Sequence, residues 1–526
     1  APLLTALEAA DVAEDSIETA RAADRAEAGL RALTKARPRD VLEHLLPMLL
    51  PKPARGARAQ AQAKTHPEVE APLSRAWSRA LAAALEVSEQ QLPFHVDALL
   101  PRLCAQLTLA AEAESARPAA AIGETDETNE TDQYRGRRAD VADVQAIMVA
   151  VARSLSGTGV QSVVIALGKL LARGSDGTPV PESVTRERPW AVWCLECLVS
   201  GSHPALLADF ACPILKNLLE CVCDPDAAVV AQAGAGLRSL ATTLTLEGLS
   251  GHISFIRSCL NSCISDARHR PGAESRFEFS AEGAMLIPLF ALPKGVEPLL
   301  PLYTYTLASG GAAEREEAAD AISDLVGMCH APALKPYLVK TAGPLIRVVG
   351  ERVPSCVKAA ILQALAALLK QGGVALRPFV PQLQTTFTKS LCDPTALVRQ
   401  RAVTGLSLVA PFSPRLDPLL SELCVSFQSA PANSMRTSIL HAMRVVLDAS
   451  GGKSTATALE KLESTALEAL ESNEEAIREA AASLCGGLAQ QWPAPESATR
   501  LATQLSDWAG QSAPLGSSAA GTEHEM

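Results

Sequence analysis

The chain has 526 residues, a formal net charge of −11 at pH 7, and 48% hydrophobic but only 4% aromatic residues. This acidic balance argues against wholesale wrapping of nucleic acid while leaving room for a local basic patch. Few aromatics with abundant Ala and Leu suit thin layers of helix on helix better than a large globular core, and the length accommodates a solenoid of about twelve repeats.

In chain order, residues 1 to 53 carry two or three helices, with an apolar rhythm over Val41 to Pro47 and a stop at Pro51-Lys52-Pro53. The Arg, Gln and Ala-rich stretch 54–70 reads as a linker or a poorly packed helix, and 71–111 as a further helical pair that includes Leu92-Pro93-Phe94-His95. Within 112–140 the run Glu124 to Asp132 has no apolar residue. It cannot bury enough surface to offset its ordering entropy, so an acidic disordered loop is expected. Residues 141 to 173 are helical, and Gly174 to Pro189 reads as a loop broken by Gly and Pro. Helices then follow over 203–219 and 227–243 around the Asp224-Pro225 turn, with another from His252. Arg268 to Ser280 interrupts with an extended Phe277/Phe279 pair, and new units begin near Val296, Leu334, Leu376, Leu416 and Ala458. The Gly/Ser/Ala-rich residues 509–526 read as a disordered tail.

The stretch from Leu334 to Arg401 explains this rhythm. Leu334-Lys335-Pro336-Tyr337 and Leu376-Arg377-Pro378-Phe379 open two copies of one unit, 42 residues apart. Each copy has two apolar stripes at helical spacing. In the first they are Leu338, Ala342, Leu345, Val349, then Val357, Ala360, Ile361, Ala364, Leu365, Leu368. In the second they are Val380, Leu383, Phe387, Leu391, then Val398, Ala402, Leu406, around the Asp393-Pro394 turn. Two helices per unit of about 40 residues is the signature of HEAT-type repeats, which bury their apolar faces only by stacking. The expected fold is an all-α solenoid of HEAT/armadillo-type repeats. Residues 1–111 would be degenerate copies, 141–508 the main solenoid, and about 296–450 its binding region.

The same stretch is the most basic part of the chain. It holds ten Lys/Arg against Glu351 and Asp393, or +8, so the remainder carries −19. Arg347 lies nine residues after Leu338, and nine steps of about 100° turn it away from the apolar stripe. Lys389 occupies the same position one repeat on, which stacks the two on neighbouring first helices about 10 Å apart. Flanking units have Ser309 and Ser429 there. By contrast, Lys358, Arg399, Arg436 and Arg478 recur near the start of second helices and are expected to bond turn acids of adjacent repeats.

Three segments carry a family resemblance: Gly343-Pro344-Leu345-Ile346-Arg347-Val348-Val349-Gly350-Glu351-Arg352, Val357 to Leu362, and the fifteen residues Arg377 to Leu391. Together with Leu292-Pro293-Lys294-Gly295-Val296 and Leu416-Asp417-Pro418-Leu419, they resemble the C-terminal HEAT region of the general-control translational activator. This is the ribosome-associated activator of the kinase of translation initiation factor 2 alpha. The resemblance runs over about residues 277 to 450, and no counterpart is apparent before residue 190. It implies a cytosolic protein-binding scaffold that docks the N-terminal RWD domain of that kinase in amino-acid starvation, with ribosome contact made through the full-length protein. It also implies that Arg347 is a partner-binding residue. Helical geometry adds Arg352, Lys389 and Arg377 as neighbours, and Lys340 on the same grounds, with an ordinary solvated face as the alternative reading of all five.

No other chemistry competes strongly. Cys194-Leu195-Glu196-Cys197 has metal-ligand spacing, but no second such pair exists and its neighbours are apolar, so core thiols are expected. The thirteen cysteines, an odd number, read as reduced. Gly451-Gly452-Lys453-Ser454 imitates the end of a phosphate loop, yet Leu447 stands where an earlier glycine is needed, so a helix stop is expected. No catalytic motif appears, and no enzyme activity, cofactor, metal or small-molecule substrate is expected. No charge-free apolar run of about 18 residues is present, so no membrane span is expected. The chain opens on Ala1 and reads as an excised region or mature fragment. Two alternatives stay open, a transport-receptor or adaptor-type HEAT scaffold and a solenoid contacting ribosomal RNA.

Overall fold

The computed structural model describes residues 17–49, 75–88, 91–115, 140–172, 182–270, 272–281, 283–413, 416–452, 454–491, 499–503 and 505–506. The linker 54–70, the acidic run Glu124 to Asp132, Lys453 and the tail 509–526 lie outside them. The chain forms two compact units, Ala1–Tyr305 with Met328–Ala333, and Thr306–Gly327 with Leu334–Met526.

The first unit is built from α1 Ile17–Ala36, α2 Pro38–Leu49, α3 Arg75–Leu85, α4 Val96–Ser115, α5 Val141–Ser154, α6 Gly157–Leu171, α7 Glu182–Gly201, α8 Ala211–Glu220, α9 Ala227–Thr243 and α10 Ile253–Arg268. Helices α1, α3, α5, α7 and α9 pack in succession as one layer, and α2, α4, α6, α8 and α10 pack in succession as the other. Local chemistry fixes the ends. Asp140 and Asp143 form a reciprocal capping box at the start of α5, and the Asp226 side chain accepts from the Ala228 N–H to start α9. Asp140 is therefore a helix cap, and residues 112–115 complete α4, so both belong to ordered helices and not to the expected loop. Helix α7 likewise begins at Glu182 and runs through Pro189, shortening the loop expected up to that proline. One ion pair is buried here: Arg188 Nη2 donates to Asp224 Oδ2 at 2.8 Å, joining α7 to the turn before α9.

After α11 Leu300–Ser309, the second unit is built from α12 Ala312–Gly327, α13 Leu338–Val349, α14 Ser355–Gly372, α15 Val380–Ser390, α16 Ala396–Val409, α17 Leu416–Ser429, α18 Asn433–Ser450, α19 Ala456–Leu470 and α20 Glu475–Gln491. Helices α12, α14, α16, α18 and α20 stack in succession as one layer, and α13, α15, α17 and α19 each pack on the second helix of their own repeat. This is the HEAT-type α-solenoid that the two-stripe pattern predicts. Every position of the α14 stripe is buried, and so are Ala359, Leu362 and Leu369. The extra burial arises because α12 and α16 cover α14 from both sides.

In α13, Val348 is buried at 0% exposure where the sequence placed Val349, a one-residue rotation of the stripe. Gly451 and Gly452 stop α18 in left-handed backbone, at φ +58° and +80°. Among the described residues no strand forms, and Phe279 and Met285 make an isolated antiparallel bridge. Within Ser355–Ser390 the most apolar 18 residues reach a mean hydropathy of 1.5. This stretch is two helices joined by the 3-10 segment Gly373–Phe379, and its first helix is the covered α14.

Candidate protein-binding surface

Arg347 sits in the last turn of α13 and Lys389 in the last turn of α15. The two helices touch, and both side chains are exposed. Arg352 follows in the turn to α14, Arg377 lies in the segment Gly373–Phe379, and Lys340 is in the first turn of α13. All three are exposed as well. Lys340 and Arg347 are seven residues apart, which places them on nearly one line along the helix, about 10 Å from each other. The five expected residues are thus all exposed and fall in two groups along α13, α15 and the segments beside them. Arg347, Arg352 and Lys389 mark the C-terminal ends of the helices, while Lys340 and Arg377 mark the N-terminal ends.

The flanking Ser309 and Ser429 are exposed at the ends of α11 and α17, so among these four repeats the charge at this position belongs to the middle two. Pro344 lies inside α13 and has no N–H, which leaves the Lys340 carbonyl without its helical donor.

The charge of this surface is set by where the acids go. Glu351 is the residue before Arg352, yet its carboxylate receives Arg315 Nη1 from α12 at 3.0 Å. Asp393 receives Lys358 Nζ from α14 at 3.2 Å. Both acids of the basic stretch are therefore engaged by second-helix cations of the preceding repeat. Among the described residues, none of the side chains of Arg347, Arg352, Lys389, Arg377 and Lys340 has an ion pair or hydrogen bond. Exposed charge of this kind is hydrated and available to a partner at little desolvation cost.

The second-helix cations divide further. Only Lys358 bonds an adjacent turn acid as the sequence suggested. Arg399 Nη1 instead donates to the carbonyls of Asp393 and Pro394 in its own turn, at 2.8 and 2.9 Å. Arg436 reaches the Ala430 carbonyl and Arg478 the Ser472 carbonyl. The correction has a simple cause: a side chain on the first turn of a second helix points back over the preceding turn, whose carbonyls would otherwise lack donors. Arg315 was missed although it stands 43 residues before Lys358 in the same register.

Cys194 is fully buried, and a thiol–thiol hydrogen bond with Cys104 together with burial pushes it well above the ordinary thiol range. It is a core thiol. Among the described residues no three metal-ligating side chains converge.

Comparison with known proteins gives a consistent family. Residues 41–294 and 417–514 each match a family described as "Stalled ribosome sensor GCN1-like, HEAT repeats", and residues 354–409 match a HEAT-like repeat. The match from residue 41 overturns the expectation that nothing before residue 190 has a counterpart: the Ala-rich layers there keep the repeat pattern while losing the motifs of the basic stretch. Protein ILITYHIA of Arabidopsis thaliana is 30% identical over 424 residues, 80% of this chain and 13% of that protein. The eIF-2-alpha kinase activator GCN1 of Saccharomyces cerevisiae is 44% identical over 168 residues, 32% of this chain and 6% of that protein. The human stalled ribosome sensor GCN1 is 37% identical over 203 residues, 38% of this chain and 8% of that protein. The chain thus spans a small part of each relative's length.

Proposed function

As this chain is a GCN1-like HEAT-repeat region, we propose that it is a protein-binding scaffold of translational control whose basic first-helix surface docks the RWD domain of the initiation factor 2 alpha kinase. In this reading docking promotes kinase activation in amino-acid starvation, and the full-length cytosolic protein contacts the ribosome through other segments. The observation that carries it is the state of Arg347: exposed, unpaired, and beside Arg352 with both local acids drawn away to Arg315 and Lys358. A planar guanidinium held this way suits a bidentate contact to a partner carboxylate, with Lys389 adding charge from the next repeat. Arg377 and Lys340 extend the same contact toward the other helix ends.

The test is a calorimetric titration of the isolated RWD domain into the chain. Saturable binding that Arg347→Ala weakens supports the reading, and absence of saturable binding overturns it. The net basic character of the patch also favours one rival, contact with ribosomal RNA. A steep fall of RNA affinity with ionic strength, without saturation by the RWD domain, would select that rival.

A further inference from the structure

The N-terminal ends of the same helices carry a feature that the charge argument does not use. Val339, in the first turn of α13, is 51% exposed, and Val374, in the segment Gly373–Phe379, is 63% exposed. The two elements adjoin. Gly372, just before that segment, sits so close to the Leu338 side chain that a Cβ added to it would come within 2.7 Å. Repeat stacking does not need these two valines, because neither belongs to the apolar stripes that hold the layers together.

The same two segments carry three cations. Lys335 and Arg377 occupy one repeat position 42 residues apart, each directly before a proline, and both are exposed, as is Lys340. None of the three side chains has an ion pair or hydrogen bond among the described residues. The two acids of the stretch lie in the turns at the opposite helix ends and are already engaged. One repeat on, the position of Arg377 is taken by Asp417, whose carboxylate accepts from the Thr455 N–H at 3.2 Å, so the basic edge ends there.

Aliphatic side chains flanked by unpaired cations select among occupants. A nucleic-acid backbone would meet the cations and leave the valines in water. An apolar segment without acids would cover the valines and leave three charges near it unsatisfied. A chain segment that alternates carboxylates with apolar side chains meets both demands. We propose that this edge docks a linear acidic segment of a partner protein, its apolar side chains covering Val339 and Val374 and its carboxylates meeting Lys335, Lys340 and Arg377. The site shares Lys340 and Arg377 with the kinase-domain reading but stands on the valines, which that reading does not use.

Fluorescence anisotropy with the full chain tests it, using a fluorescein-labelled peptide repeating Glu-Glu-Leu-Val, a second repeating Glu-Glu-Ser-Ser, and a labelled single-stranded RNA. The first peptide should bind saturably, and both the serine peptide and the Val339→Ser/Val374→Ser variant should weaken binding about tenfold or more. Lys335→Glu/Arg377→Glu should abolish it. The valine variant should melt at the unmodified temperature and keep the affinity for the RWD domain, whereas Arg347→Ala tests that domain alone, so the two readings fail separately. No binding of the first peptide, equal binding of the serine peptide, or indifference to the valine variant overturns the proposal. RNA binding tighter than the peptide would assign the edge to nucleic acid and overturn it as well.

Discussion

Arg347 and Arg188 are the same residue type in opposite circumstances. Arg347 is surrounded by water, so its removal should be felt by a partner and not by the fold. Arg347→Ala is expected to weaken RWD binding by about 1.5–3 kcal/mol, with Arg347→Lys recovering only part, because an ammonium cannot make two parallel bonds. Calorimetric titration with a parallel thermal melt checks both halves of that statement.

Arg188 and Asp224 keep only 7% and 4% side-chain exposure. Arg188→Met leaves the Asp224 carboxylate buried without its cation and should cost about 3–5 kcal/mol, while a paired Arg188→Met/Asp224→Leu variant regains most of it. Urea unfolding followed by the fluorescence of Trp190 and Trp193 on the same helix reads this difference. The outward direction of Arg347 was legible from its spacing to Leu338. That Glu351 turns to Arg315 was not, because the choice depends on a cation one repeat earlier in the chain.

Helices meet here at distances that single residues permit. A Cβ placed on Gly405 of α16 would come within 2.2 Å of the ring of Phe387 on α15, a fully buried side chain. Gly405→Ala must push that ring off its site and should destabilise the second unit by about 1–3 kcal/mol, as measured by chemical denaturation. Phe387 was recognisable as core from its spacing, but the need for a glycine opposite it comes from how α15 crosses α16. The boundary of α7 was misjudged for a related reason. Pro189 reads as a breaker in isolation, yet the buried Arg188–Asp224 pair and the contacts of α7 with α5 and α9 hold the helix through it.

At the scale of the whole molecule, the repeat period and the two-layer fold were written in the apolar spacing, since a HEAT pair leaves little choice once its stripes are set. Cysteines shape the response of the entire chain to alkali. Burial pushes Cys197 and Cys263 up to about 12 and Cys485 to about 11, from an ordinary 9.0. Unfolded thiols release protons above pH 9 while these folded ones keep theirs, so their share of stability is full below that value and is lost as pH climbs toward the folded values. Urea midpoints should therefore fall between about pH 8 and about pH 10.5, and a variant with Cys197, Cys263 and Cys485 replaced by Ala should fall less.

The capture of Glu351 and Asp393 by Arg315 and Lys358 has a bench consequence. A molecule with a sequence pI of about 5.5 would ordinarily pass straight through a cation-exchange column at neutral pH. With this bare positive face it should instead be retarded there at low salt, and it should adhere to an anion exchanger too. Elution from the first resin would move earlier in Arg347→Ala and later in Glu351→Gln, turning a chromatogram into a gauge of that face.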